Sequence, residues 1–147
     1  MIIIARIIGQ SLQNYRSESL KTQTDSNRFA SFYRSGDITD LQSAINWMFN
    51  LMENDDFSFN YIRFRKLTTK QFSLQLLTIP SREDIQTIIE KRKIQYVIIS
   101  GRYKEKRISV NICINDGWIF GPLYAISIAF DTDTDVLSLL EALHISN

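Results

Sequence analysis

Apolar side chains recur along this chain with two periods, near 3.6 and near 2, and the alternation between them marks out its elements. Ile4, Ile8, Leu12 and Tyr15 follow helical spacing, which predicts a helix over roughly 3–18. Residues 17–36 are rich in Ser, Thr, Asn and Gln, with Phe29, Phe32 and Tyr33 embedded, and read as a long surface connection pinned by its aromatics. The clearest helix starts at Asp37. Leu41, Ile45, Met48 and Met52 share one face, Ile38 and Phe49 lie beside it, Asp37 or Thr39 is placed to cap it, and Asn54-Asp55-Asp56 ends it.

Strand-like runs follow at Phe57 to Leu67 and Phe72 to Ile79, joined by the four residues 68–71, a hairpin-length link, with Pro80 closing the second. Ser81, with Asp84 three residues later, predicts the start of a helix that buries Ile85, Ile88 and Ile89. Lys91-Arg92-Lys93 suits the negative end of that helix's dipole. A three-strand meander is expected next, beginning with Ile94 to Tyr103. In its second strand Ile108, Val110, Ile112 and Ile114 alternate with Ser109, Asn111, Cys113 and Asn115, the cleanest period of two in the chain. Asn115-Asp116-Gly117 supplies a turn, and Trp118 to Phe130 the third strand, interrupted at Gly121-Pro122. Thr134 or Asp133 then caps a last helix with Val136, Leu139, Leu140 and Leu143 inside.

The expected fold is therefore α+β: an antiparallel sheet of about five strands packed by about three to four helices, in the order (α)-α-β-β-α-β-β-β-α. No internal repeat or flexible-linker composition divides the chain, and its 147 residues suit one domain.

Composition adds limits. At 44% hydrophobic and 22% charged residues the chain has enough apolar surface to fold. It has 22 Ile against 6 Ala, a bias toward strand formers that agrees with a sheet protein. One cysteine, Cys113, excludes an internal disulfide and fits a reducing compartment. The apolar start, Met1 to Ile8, is broken by Arg6 and is far short of the ~20 residues of a membrane span. It also lacks the charge order of a signal peptide. A soluble cytoplasmic protein without a membrane association is expected.

Catalytic and cofactor chemistry has little to stand on. His144, the one histidine, lies three residues from the last position and reads as a solvated or helix-capping side chain. One His and one Cys cannot build a zinc site of that type. Asp131-Thr132-Asp133-Thr134-Asp135 resembles half of a calcium loop, but Val136 and Ala142 stand where Gly and Glu are required. The five glycines form no phosphate-cradling loop. No cofactor, no metal and no enzymatic activity are expected.

Charge is more informative when read in blocks. The net charge is +1, yet residues 57–107 carry twelve basic and four acidic side chains, while residues 37–56 and 108–147 each carry five acidic and no basic ones. Two binding surfaces follow. The first is acidic, comprising Asp55, Asp56, Asp131, Asp133 and Asp135 with Trp118 as an aromatic anchor. It suits a protein partner such as a basic toxin or nuclease domain, and so a small bacterial immunity or antitoxin-type protein. The second is basic. Phe57, Phe59, Tyr61, Arg63 and Arg65 share one strand face by parity, and Arg102, Lys104 and Arg107 lie around the meander's first turn. Tyr61, Arg63, Arg65, Arg102, Lys104 and Arg107 suit single-stranded nucleic acid, with bases stacked and phosphates held. The acidic reading leads and the nucleic-acid reading is the alternative. A small-ligand-binding domain or an enzyme of unfamiliar type is the third.

Overall fold

A computed structural model describes residues 28–33, 38, 40–68, 70–115, 123–131, 138, 139 and 143, with backbone alone at 28–33, 115, 123, 125 and 131. The elements in chain order are β1 (Arg28–Tyr33), α1 (Leu41–Met52), β2 (Phe57–Lys66), β3 (Phe72–Leu76), α2 (Arg82–Arg92), β4 (Tyr96–Tyr103), β5 (Lys106–Asn115) and β6 (Leu123–Asp131). The strands form one antiparallel sheet in the order β1-β6-β5-β4-β2-β3. The α+β class and the antiparallel sheet agree with the expectation from sequence.

The sheet has six strands rather than about five, because residues 28–33 are not part of a surface connection. They pair with β6 along its length, from Arg28 opposite Asp131 to Tyr33 opposite Ile126. Two helices are described in full. Beyond them, Ser138, Leu139 and Leu143 have helical conformation, and Leu139 and Leu143 are buried. The helix expected over 3–18 lies outside the described residues, as do Val136, Leu140, His144 and the turn at Asp116-Gly117.

Helix α1 begins one residue after Asp40, and Asp40 is its cap, in place of Asp37 or Thr39. The Asp40 carboxylate accepts the Ser43 N–H at 2.8 Å, and Ser43 Oγ accepts the Asp40 N–H at 3.2 Å. Asp40 and Ser43 thus form a reciprocal capping box. The helix then buries Ala44, Ile45, Trp47, Met48, Phe49, Leu51 and Met52, a stripe wide enough to cover the centre of a sheet. Helix α2 starts at Ser81, whose side chain accepts the Asp84 N–H, and ends in a left-handed Lys93. It is far more polar and buries only Ile85 and Ile89. Arg82 ties it to α1 by donating to Asn46 Oδ1 and by lying over the Phe49 ring.

One hydrophobic cluster joins α1, α2, Leu139 and Leu143 to alternate residues of the strands. These are Ile62 and Phe64 of β2, Val97 and Ile99 of β4, Ile108, Val110, Ile112 and Ile114 of β5, and Tyr124, Ile126, Ile128 and Phe130 of β6. All the described helical residues in the core thus pack on the same face of the sheet. Gln95, just before β4, locks one end. Its backbone N–H donates to Arg65 O, its carbonyl accepts from Ile114, and its side chain bonds Leu67 N and Thr68 Oγ1.

Strand β2 is not a uniform alternation. Phe59 pairs with Gly101 and Tyr61 with Ser100, so Asn60 is an inserted residue and a β-bulge. The bulge reverses the parity of the strand. Phe57 is buried and Phe59 packs against the core on the helix side, whereas Tyr61, Arg63 and Arg65 take the opposite face from the buried Ile62 and Phe64. The five residues that parity places together are therefore split between the two faces. Gly101 makes the arrangement possible: a Cβ there would lie 2.2 Å from the Ser58 carbonyl oxygen and 2.6 Å from Phe57 Cζ.

Candidate nucleic-acid interface

The face opposite the helices is built from the residues that the core leaves over. Because every pairing is antiparallel and in fixed register, those residues line up in rows across the strands. One row runs Gln75, Arg63, Ile98, Asn111, Ser127. The next runs Tyr61, Ser100, Ser109, Ala129. Arg65 stands opposite Tyr96, and Ser58 and Arg107 both stand opposite Arg102. Among the described residues, no Asp or Glu occupies an open-face position of β2, β3, β4 or β5.

The open face holds a trough of about 670 Å³. Ser100, Ser109 and Ala129 are small and lie along its middle strands, while Ser58 and Tyr61 rise on the β2 side and Arg102 and Arg107 at the hairpin end. The hairpin turn that sets the two arginines opposite each other is tight. Lys104 and Glu105 both have positive φ, 48° and 71°, as a two-residue turn of this hand requires, although neither is Gly or Asn. Two like charges thus stand directly across a strand pair, which by itself disfavours folding. Arg102 Nη1 donates to the Glu105 carbonyl at 3.2 Å, which holds its guanidinium at the turn.

Arg63 is also fixed. Its Nε donates to Gln75 Oε1 at 3.0 Å and its Nη2 bonds the same oxygen. Its guanidinium carbon lies 5.1 Å from the centre of the Tyr61 ring, a cation–π stack. Neighbouring Asn111 has a side-chain oxygen that is buried without a hydrogen-bond partner.

Of the nucleic-acid-binding residues singled out from sequence, the structure brings Tyr61, Arg63, Arg65, Arg102 and Arg107 to this one face. Lys104 departs from it. Its ammonium lies over the Tyr103 ring and reaches Ser138 Oγ at 3.4 Å, on the helix side, because the turn swings it away from its neighbours. Gln75, Ser58, Ser100, Ser109 and Tyr96 belong to the face and were not singled out. Only the β5 alternation that put Ser109 and Asn111 opposite the isoleucines hinted at them.

The acidic set is not assembled by the described residues. Asp55 and Asp56 are exposed in the turn between α1 and β2. The Asp56 carbonyl accepts the Lys104 N–H at 2.9 Å, so this acidic corner abuts the basic hairpin turn. Asp131 ends β6, its backbone opposite Arg28. Trp118, Asp133 and Asp135 lie outside the described residues.

A second hollow, about 540 Å³, opens on the helix side between Leu41, Lys66, Glu90, Lys93 and Tyr124. No group of three or more His, Cys, Asp or Glu side chains placed to hold a metal occurs among the described residues. No described helix is long and apolar enough to cross a membrane. Comparison with protein-family models, with curated proteins and with solved structures finds no match to this chain.

Proposed function

We propose that the protein binds single-stranded nucleic acid across the open face of its sheet. The observation that carries this reading is the segregation of charge on that face. Arg63, Arg65, Arg102 and Arg107 share it with Tyr61 and Tyr96, and no acidic side chain stands among them on β2 to β5. Arginines hold phosphates, aromatic rings stack bases, and a broad shallow surface admits bases that are not already paired. A duplex offers its phosphates but hides the flat faces of its bases, which favours the single strand.

The acidic reading, an immunity or antitoxin-type protein facing a basic toxin, is supported by exposed Asp55 and Asp56. The Asp56 carbonyl is bonded to the backbone of a turn rich in basic residues, so a cationic partner there would meet repulsion as well as attraction. The basic face is the better supported site. We place the activity in the cytoplasm, where a cysteine outside any disulfide, such as Cys113, is ordinary.

The test is fluorescence polarisation with a labelled single strand of about ten nucleotides, within the range such surfaces cover. Affinity falls steeply between about 50 and about 200 mM salt. Replacing Arg65, Arg102 and Arg107 together by Ala weakens binding roughly tenfold or more. It also flattens the salt dependence by about one unit of slope for each phosphate no longer neutralised. Failure to bind at low salt overturns the proposal, as does a triple variant that binds like the parent.

A further inference from the structure

The trough on the open face is more than a charged patch, and its walls point to the part of the ligand that enters it. We infer that it is a subsite for one unpaired nucleobase, with the Tyr61 ring as stacking wall and the Arg63–Gln75 pair as the brace behind that ring. This deepens the nucleic-acid reading above and rests on it.

Three observations support the assignment. First, Tyr61 lines the trough and Arg63 does not, because Arg63 stands opposite Ile98, one row further along the sheet. The guanidinium that stacks 5.1 Å from the ring centre is held in turn by Gln75. A ring backed in this way is pre-organised, so stacking a base on it costs little ordering entropy. Second, Ser100, Ser109 and Ala129 give the trough a stretch of small residues, with Phe59 and Ile108 also in its lining. The Ser100 and Ser109 hydroxyls stand on adjacent strands in one row with Ala129. A flat base fits above such a stretch, and hydroxyls that both donate and accept can meet any base edge. Third, Arg102 lies at the rim, beside the hairpin turn, where the phosphate of the same nucleotide would emerge. Arg63 is therefore a positioning residue and Arg102 a phosphate ligand. A charge count alone would treat the two alike.

Binding of an intact single strand is compared with binding of the same strand carrying abasic residues. The intact strand binds the parent protein roughly tenfold more tightly, the scale of one base stacked on an aromatic ring. Tyr61→Leu and Ser109→Leu each bring the ratio of intact to abasic affinity close to one, the first by removing the wall and the second by filling the trough. Tyr61→Phe, which keeps the ring, preserves the ratio, and Ser109→Ala, which removes one hydroxyl but leaves the trough open, lowers it by less than Ser109→Leu does. Gln75→Ala lowers the ratio without changing the salt slope, whereas Arg102→Ala flattens the slope and leaves the ratio. Far-ultraviolet circular dichroism confirms that each variant is folded. Equal binding of intact and abasic strands by the parent overturns the subsite and leaves the electrostatic reading standing. An intact-to-abasic preference that survives Ser109→Leu also overturns it. Absence of binding to either strand overturns both readings.

Discussion

The two faces of this sheet are made by the same strands and obey different rules. On the helix side, β4 and β5 contribute Val97, Ile99, Ile108, Val110 and Ile112, all buried in one cluster with α1. On the other side the intervening residues are Ile98, Ser100, Arg102, Arg107, Ser109 and Asn111, polar but for Ile98 and none fully buried. The first face has to be apolar, since burial of its side chains is the main source of stability. The second is not bound by that requirement, and its composition is free to answer to something else. It holds arginines and an aromatic ring around small residues, and the proposed ligand site rests on that composition.

That contrast is sharpest between adjacent residues of β4. Ile99 is fully buried and Ser100, one position on, faces the trough. Ile99→Ala is expected to cost about 2–5 kcal/mol, the range for a large core side chain reduced to Ala. Ser100→Ala is expected to stay within about 0.5 kcal/mol. Urea denaturation of the two variants measures both. A large loss at Ser100 would mean that the open face is part of the core, and the distinction between the faces would fail.

Gly101 tests the boundary between them, where the bulge lets β2 change parity. Gly101→Ala drives a methyl group into the Ser58 carbonyl and the Phe57 ring. The expected destabilisation is about 1–3 kcal/mol, typical of overpacking, with the upper end favoured because one obstacle is backbone. A shift of the denaturation midpoint equivalent to less than a few tenths of a kcal/mol would show that the bulge does not depend on this glycine. In a protein that stays folded, nucleic-acid binding is expected to weaken too, since Tyr61 owes its place on the open face to that bulge.

The helix-side face was far more legible from sequence than the open one, for a physical reason. Burial is recorded residue by residue, so Ile108, Val110, Ile112 and Ile114 announce their face without a partner strand. The open face exists only through register. Gln75 meets Arg63 across β2 and β3, and Ser100 meets Ser109 across β4 and β5. Neither pairing leaves a mark on the residues alone. The inserted Asn60 leaves none either, and simple parity therefore joined Phe57 and Phe59 to Tyr61 and the arginines. Strand β1 was missed because its partner is remote: Phe29 pairs with Phe130, with no local hairpin to signal it. Lys104 does lie at the meander's first turn, but the direction of its side chain was not legible, because that turn has two left-handed residues and neither is the Gly or Asn that would advertise it. Local signals such as Ser81 at the start of α2 were legible, since donor and acceptor lie within four residues.

The smallest expected effect concerns the cap that starts α1 and thereby holds the helix layer on its face. The Asp40 carboxyl is held below its ordinary value of 3.8, first by the Ser43 backbone N–H that donates to it and then by the Ser43 side chain. A carboxyl with a lowered folded-state pKa binds its proton more weakly in the folded chain than in the unfolded one. Its charged form therefore contributes stability at pH values above about 3.8, and that contribution is lost as the pH falls through the lower, folded-state value. Asp40→Asn keeps an oxygen able to accept the Ser43 N–H and removes only the charge. The parent is expected to be slightly more stable than Asp40→Asn at pH 7, with the difference fading below pH about 3.8 and shrinking in high salt, because the group is exposed. Urea midpoints of the two proteins at pH 7 and near pH 3 decide it, and a difference that persists at the lower pH would assign the cap's effect to geometry alone. Oligonucleotide affinity at neutral pH should be the same for both proteins. A loss of binding in Asp40→Asn would mean that the helix layer and the open face are coupled through the sheet, and that the two sides do not divide stability from recognition.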